Sequence, residues 1–268
     1  MDDMTEVNGL EKPRYKNWIP AKLVASVLLG ALALLLCARL LVERAAIAGF
    51  ILMLLSFAAL FLGLYLLRAR TALDYAGGGV QGKVLDVVLR HLVKAGWDGH
   101  GRVLDIGCGS GALAVKLAKA HPHALVTGLD AWGMGWEYSQ KLCEDNARLE
   151  GVSARVAFRK GDAAKLPFVD GAFDAVASNF VFHEVRSQPD KQALILEALR
   201  VLRPGGAFAL QDTFFDRRVY GDAQAFVDAL RPHVAELHFA DTRKPGFAPG
   251  FLNTRMVLGS MGLLWGRK

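Results

Sequence analysis

The chain has 268 residues, with 32 Lys and Arg against 26 Asp and Glu, and 53% of it is hydrophobic. That length supports one substantial domain with an appendage, and the three cysteines, Cys37, Cys108 and Cys143, have neither the number nor the spacing of a disulfide framework or a metal site. The net charge of +6 divides evenly: residues 1–70 hold 8 basic and 5 acidic side chains and the remainder 24 and 21, so no basic stripe for nucleic acid is indicated.

The hydrophobic excess is local. Leu23 to Val42 and Ala45 to Leu67 are apolar runs of 20 and 23 residues, and about 20 residues of helix cross the hydrocarbon of a bilayer. The second run has no charge, and the first has only Arg39, near its end, where a long side chain reaches the interface. A cleaved signal peptide is the competing reading of the first run, but the run is long for one and a second follows at once. Only Glu43 and Arg44 separate the two, which predicts a tight antiparallel transmembrane hairpin in a lipid bilayer.

Lys12, Arg14, Lys16 and Lys22 precede the hairpin and Arg68 and Arg70 follow it. By the positive-inside tendency both termini and the rest of the chain lie on the cytoplasmic side of the cell (inner) membrane. Gly30, Ala31, Ala33, Gly49, Ala58, Ala59 and Gly63 would permit close packing within the hairpin, or between chains in a homo-oligomer; ordinary membrane composition explains them equally. The expected division is therefore an N-terminal segment 1–22, a hairpin 23–67, a linker 68–82 containing Gly77-Gly78-Gly79, and a domain 83–268. Lys83 to Ala95 opens that domain with helical spacing of Val84, Leu85, Val87, Val88 and Leu92.

The stretch from Arg102 to Leu113 reads as a buried strand, a glycine turn and a helix start. Val103, Leu104 and Ile106 are strand formers, and Gly107, Gly109 and Gly111 remove the side chains that would keep a ligand from the backbone. Such turns serve dinucleotide and mononucleotide sites alike, and a turn of this kind lets a bound molecule touch main-chain N–H groups. Asp105 discriminates, because a carboxylate there would repel a pyrophosphate. It suits instead a ligand with an ammonium and a sulfonium, as in S-adenosylmethionine. The loop also lacks the Gly-Lys-Ser/Thr ending of a P-loop.

Asp130 closes the apolar run Ala124 to Leu129, where a carboxylate would face ribose hydroxyls. After it, Trp132 and Trp136 begin a helix and would stack on adenine, close the pocket, or simply pack. Gly161-Asp162-Ala163 follows a strand-like Arg155 to Phe158, Phe173 to Asn179 is a further strand, and Leu199 to Phe208 contains Arg203-Pro204-Gly205-Gly206.

In that order and spacing, these stretches resemble the successive motifs of class I S-adenosylmethionine-dependent methyltransferases, in the small-molecule branch similar to quinone-biosynthesis and sterol methyltransferases. The resemblance covers roughly residues 82 to 215. It implies an α/β, Rossmann-like sheet of seven strands, six parallel and the last antiparallel, with helices on both faces. It also implies that Asp105, Gly107, Gly109 and Gly111 hold the methionine part of the cofactor, Asp130 the ribose, and Asp162 with Ala163 the adenine; Asn179 is counted with these cofactor residues. A Rossmann-like domain that binds another nucleotide, or nothing, is the competing reading.

Substrate chemistry is expected at Ser178 to Val185, since the end of the fourth strand borders the transferable methyl in this fold. His183 would remove a proton from an acceptor hydroxyl, thiol or amine, with Glu184 orienting it, or would only cap and pack the next helix. Phe180, Val181 and Phe182 would make the pocket apolar. No Asn-Pro-Pro-Tyr type sequence follows that strand, against base or amide methylation. Gly206 to Asp212, Val234 to Ala240 and Leu263 to Gly266 are the last three expected strands, with Gln211 to Asp216 on the substrate side. The combined expectation is a membrane-anchored methyltransferase of a small lipophilic substrate (a thiol, phenol, quinone precursor or lipid amine). A methyltransferase of a membrane protein partner and a non-catalytic cofactor-binding scaffold are the alternatives.

Overall fold

A computed structural model of the protein describes residues 12–75, 79–133, 138–243, 246–255 and 257–268. The chain divides into two units, one made of residues 16–82 and the other of residues up to Tyr15 together with Lys83–Lys268.

The smaller unit is a helical pair, α1 (Ala21–Leu41) and α2 (Ala46–Leu73). Its seam has a seven-residue period: Val24, Ala31 and Ala38 are buried on α1, and Gly49, Ser56 and Gly63 on α2. Small residues let the backbones approach. A Cβ on Gly63 would meet Leu28 Cδ2 at 2.4 Å, and one on Gly49 would meet Val42 Cα at 2.7 Å. Ser56 Oγ donates across the seam to the Ala31 carbonyl at 2.7 Å. Gly30, by contrast, meets nothing. The outer faces remain apolar, with Leu29, Leu40, Ile47 and Phe61 all at least 66% exposed. At the open end, Asn17 Nδ2 donates to the Arg70 carbonyl at 2.7 Å and Arg70 donates back to the Ile19 carbonyl.

Helix α2 runs six residues past the expected span, because Arg68, Ala69, Arg70, Thr71, Ala72 and Leu73 hold nothing that breaks a helix. Helix α3 (Val80–Lys94) starts three residues early. The expected linker thus gives up residues 68–73 and 80–82 to helices, and its Gly77 and Gly78 lie outside the described residues.

The larger unit is built on a seven-stranded sheet in the order β3-β2-β1-β4-β5-β7-β6. The strands are β1 (Gly101–Ile106), β2 (Ala124–Asp130), β3 (Val156–Lys160), β4 (Phe173–Asn179), β5 (Leu202–Asp212), β6 (Glu236–Asp241) and β7 (Gly262–Arg267). Strands β1 to β5 pair in parallel, and β7 runs antiparallel to both β5 and β6, so six strands share one direction. Strand β5 begins four residues before the expected Gly206, with a register shift against β4 between Phe173 and Ala175.

Helices α4 (Ala112–Ala120), α5 (Gln140–Leu149), α6 (Lys191–Arg200), α7 (Arg217–Tyr220) and α8 (Ala223–Leu230) complete the unit. Alternation along β1, β4 and β5 sends Leu104, Ile106, Val176, Phe208 and Leu210 into one core with Leu194 and Ile195 of α6 and Phe226 and Val227 of α8. Chain order moves outward from β1 to β2 and β3, then crosses back to β4. The crevice at the carboxyl ends of β1 and β4 is therefore the switch point where open α/β sheets take ligands.

Candidate active site

The glycine turn leaves β1 with Gly107, Gly109 and Gly111 at φ +68°, +55° and +79°, a region that L side chains avoid. Space enforces the choice at Gly107, where a Cβ would lie 2.2 Å from Val181 Cγ2. Four of the turn's amides are already engaged, contrary to the expectation of free N–H groups. Gly107 and Cys108 donate to the Leu129 carbonyl at 2.7 and 3.0 Å, Gly109 to Asp130 Oδ2 at 2.8 Å and Gly111 to Cys108 at 2.8 Å. With these donors spent on Leu129, Asp130 and the turn itself, little is left to donate to a phosphate, and the acceptors beside the turn are the carboxylates of Asp105 and Asp130, which suit cations and hydroxyls.

Asp105 is 1% exposed and its Oδ2 has no partner among the described residues. Burial, with Asp130 adding repulsion, holds its pKa well above the carboxylate range despite a main-chain bond from Ala114. A buried carboxylate oxygen without a donor is costly until a cation arrives. The residues present therefore fit the ammonium end of S-adenosylmethionine. Asp130 is half-buried and also accepts from Trp132 N at 2.7 Å, leaving each oxygen a lone pair for a ribose hydroxyl.

Trp132 sits at φ +40° and its indole donates to the Gly109 carbonyl at 3.0 Å. It is not in a helix, since α5 starts only at Gln140, capped by Ser139. Trp136 lies outside the described residues. Tyr138, which the sequence reading did not single out, sets its ring 3.4 Å from where a Gly109 Cβ would be, and burial with the charges of Glu184 and Asp130 raises its pKa. Asp162 is exposed beside buried Ala163, and its Oδ1 accepts from Ala164 N at 2.9 Å in a local turn.

At the ends of β4 and β5 the register Asn179↔Gln211 brings two loops together. Asn179 Oδ1 accepts from Gln211 Nε2 at 2.8 Å. Phe180 takes the strained value φ +57°, and this bend aims the following main chain at Asp212. Asp212 Oδ2 accepts from Phe182 N at 2.7 Å and Val181 N at 3.1 Å, while Oδ1 accepts from Thr213 N at 2.6 Å.

The same Oδ1 lies 2.6 Å from His183 Nδ1. Burial works to lower the His183 pKa, but Asp212 outweighs it and, with Glu184, leaves it raised; burial likewise opposes ionisation of Asp212, whose pKa the imidazole and the amides nonetheless pull down. The expectation that Glu184 orients His183 needs correcting. Glu184 Oε1 is 3.7 Å from Nε2, outside hydrogen-bond reach, and the orienting carboxylate is Asp212. Parallel register puts the end of β5 beside the turn after β4, a relation that the linear motif does not carry. Phe182, expected to line the pocket, is fully buried in the core, whereas Phe180 and Val181 stay half-buried, the Phe180 ring edge-on to His183 with centroids 6.4 Å apart.

The known methyltransferase domain family matches residues 103–206. The chain is 28% identical over 202 residues to the ubiquinone/menaquinone biosynthesis C-methyltransferase UbiE of Desulfotalea psychrophila, covering 66% of this chain and 77% of that one. Other curated methyltransferases match over 27% to 57% of their own length, so the chain spans about half or less of those relatives. Among solved structures, the [4+2]-cyclase SpnF superposes with a TM-score of 0.53 at 25% identity, covering 70% of this chain and 81% of that one. The geranyl diphosphate C-methyltransferase of Streptomyces coelicolor A3(2), solved with S-adenosyl-L-homocysteine, superposes with a TM-score of 0.53 at 18% identity, covering 70% and 80%, a likeness of fold. The match over residues 103–206 makes that stretch a methyltransferase domain, and with the motifs at the strand ends, the seven-stranded order and the buried unpaired Asp105 the chain is similar to S-adenosylmethionine-dependent small-molecule methyltransferases.

Proposed function

We propose that this protein is anchored in a membrane by its helical pair and methylates a small lipophilic acceptor whose nucleophilic atom must lose a proton, a phenolic or quinol hydroxyl above a thiolate or free amine. The observation that carries this reading is the His183–Asp212 pair: Nδ1 is taken by a carboxylate, so Nε2 is the nitrogen left to accept a proton. S-adenosylmethionine, when bound, supplies an electrophilic methyl group. Asp105 would hold its ammonium, Asp130 its ribose hydroxyls, and Asp162 with Ala163 its adenine, with Asn179 and the three glycines beside it. The acceptor oxygen gains the methyl as its proton passes to His183 Nε2, and Asp212 offsets the charge that develops on the ring.

The two apolar helices support anchoring, being long and apolar enough to cross a bilayer and only 17% buried over their most apolar windows. Lys16, Lys22, Arg68 and Arg70 gather at the ends that lead to the rest of the chain, which favours the cytoplasmic side. A bilayer-dissolved acceptor would meet an anchored enzyme at raised effective concentration. The quinone-biosynthesis name of the UbiE relative is consistent with a lipophilic aromatic substrate, although that relative is named for methylation at carbon.

The test is transfer of label from S-adenosylmethionine by the detergent-solubilised protein to a panel of lipophilic phenols, thiols, amines and lipid extract. Label should enter the phenols, vanish with Asp105→Ala and fall about 100-fold with His183→Ala. Equal transfer to thiols or amines by His183→Ala would remove the base from the mechanism. Label on co-purifying protein alone would replace the small acceptor with a membrane protein, and cofactor binding without transfer would leave a scaffold.

A further inference from the structure

Arg14 precedes the first apolar helix, yet it belongs to the sheet-bearing unit. Its main chain is clipped by one side chain, Asn146 of α5, which is 1% exposed. Asn146 Oδ1 accepts from Arg14 N at 2.7 Å, and Nδ2 donates to the Arg14 carbonyl at 3.2 Å and to the Ser110 carbonyl at 2.9 Å. Both amide hydrogens and the amide oxygen are thereby used. Ser110 is the residue between Gly109 and Gly111, so the third bond reaches into the cofactor turn from behind. One turn earlier on α5, Cys143 Sγ contacts the neighbouring Gly109 carbonyl at 3.1 Å. Tyr15 adds a bond to Glu150 Oε1 at 3.2 Å, and Glu150 is itself paired with Lys119 of α4.

We propose that the segment ahead of the first span is a strap of the cofactor-binding body, with Asn146 as the positioning residue that transmits its docking to the glycine turn. Without Arg14, the buried amide of Asn146 loses two of its three partners and is free to rotate off Ser110. The turn then loses one of the two bonds by which α5 fixes its carbonyls. By linkage, whatever orders the turn also favours the docked strap, so cofactor binding and strap docking stabilise each other. A strap before the hairpin and a domain after it that share these bonds stay on one side of the membrane. The inference rests on the family's cofactor, not on the proposed acceptor.

The experiment uses full-length protein and S-adenosylhomocysteine as probe, read by calorimetric binding and by the rate of tryptic cleavage at Lys16, a site that every variant keeps. Arg14→Pro removes the guanidinium together with the N–H that Asn146 accepts, and Arg14→Ala removes the guanidinium alone. The expected result is about five-fold weaker binding and faster cleavage for Arg14→Pro, wild-type binding for Arg14→Ala, and slower cleavage of wild type when the probe is present. Asn146→Asp keeps the bond from Arg14 N but cannot donate to either carbonyl, so it should weaken the probe at least as much while the acceptor KM stays unchanged. Wild-type affinity in both Arg14→Pro and Asn146→Asp, or cleavage indifferent to the probe, would overturn the proposal.

Discussion

His183 Nδ1 and Asp212 Oδ1 lie 2.6 Å apart although 29 residues separate them, and Asp212 is fully buried. The other oxygen of that carboxylate collects the Val181 and Phe182 amides, so one side chain both shapes the turn after β4 and sets the imidazole's tautomer.

The pair makes the reaction pH-dependent in a definite sense. Raised above its ordinary 6.5, the His183 pKa keeps Nε2 protonated and unable to act as base at low pH. The rate should therefore rise with pH through an apparent pKa above 6.5 and then level off. Asp212→Asn removes the anion, so the rise should move to lower pH while the plateau falls about 100-fold. The pH profile of kcat/KM for the two proteins measures both effects.

Asp105 costs stability in exchange for binding. A buried, unpaired carboxylate with a raised pKa favours the fold when protonated and disfavours it as pH rises through its native pKa. Asp105→Asn should raise the stability of cofactor-free protein at neutral pH by about 2 kcal/mol and weaken S-adenosylhomocysteine at least ten-fold. Thermal melts with and without the ligand separate the two outcomes.

Gly107 and Val181 compete for one space. Gly107→Ala is expected to abolish cofactor binding, through the clash and about 1–2 kcal/mol of left-handed backbone strain. Val181→Ala in the same chain should restore part of it by removing the two methyl carbons in the way. A binding isotherm for each single variant and for the double variant measures the coupling.

In the hairpin, Ser56→Ala removes one interhelical hydrogen bond, for an expected loss of about 0.6 kcal/mol. Gly63→Leu drives a side chain into Leu28 and should destabilise the pair far more, with Leu28→Ala relieving it. Stability in detergent by chemical denaturation ranks the variants. Alkaline extraction of membranes should leave the wild-type protein in the pellet.

What the sequence determined by itself is the local and the periodic. Alternating apolar residues before a Gly-x-Gly-x-Gly turn and an acid closing the next apolar run suffice for the place of Asp105 and Asp130 at strand ends, two long apolar runs suffice for a helical pair without polar faces, and the resemblance supplies the seven-stranded sheet. Each pattern is encoded within about 20 residues, at the reach of strand and helix periods. Register and long-range closure were decided only by the tertiary structure. Asp212 rather than Glu184 orients His183 because β5 pairs with β4 at Asn179↔Gln211. Phe182 leaves the pocket for the core because the strained Phe180 turns the chain. Small residues divide into a seam at Ala31, Gly49, Ser56 and Gly63 and an outer Gly30 because two helices must choose faces. Arg14 meets Asn146 across 132 residues, a separation that no local pattern encodes.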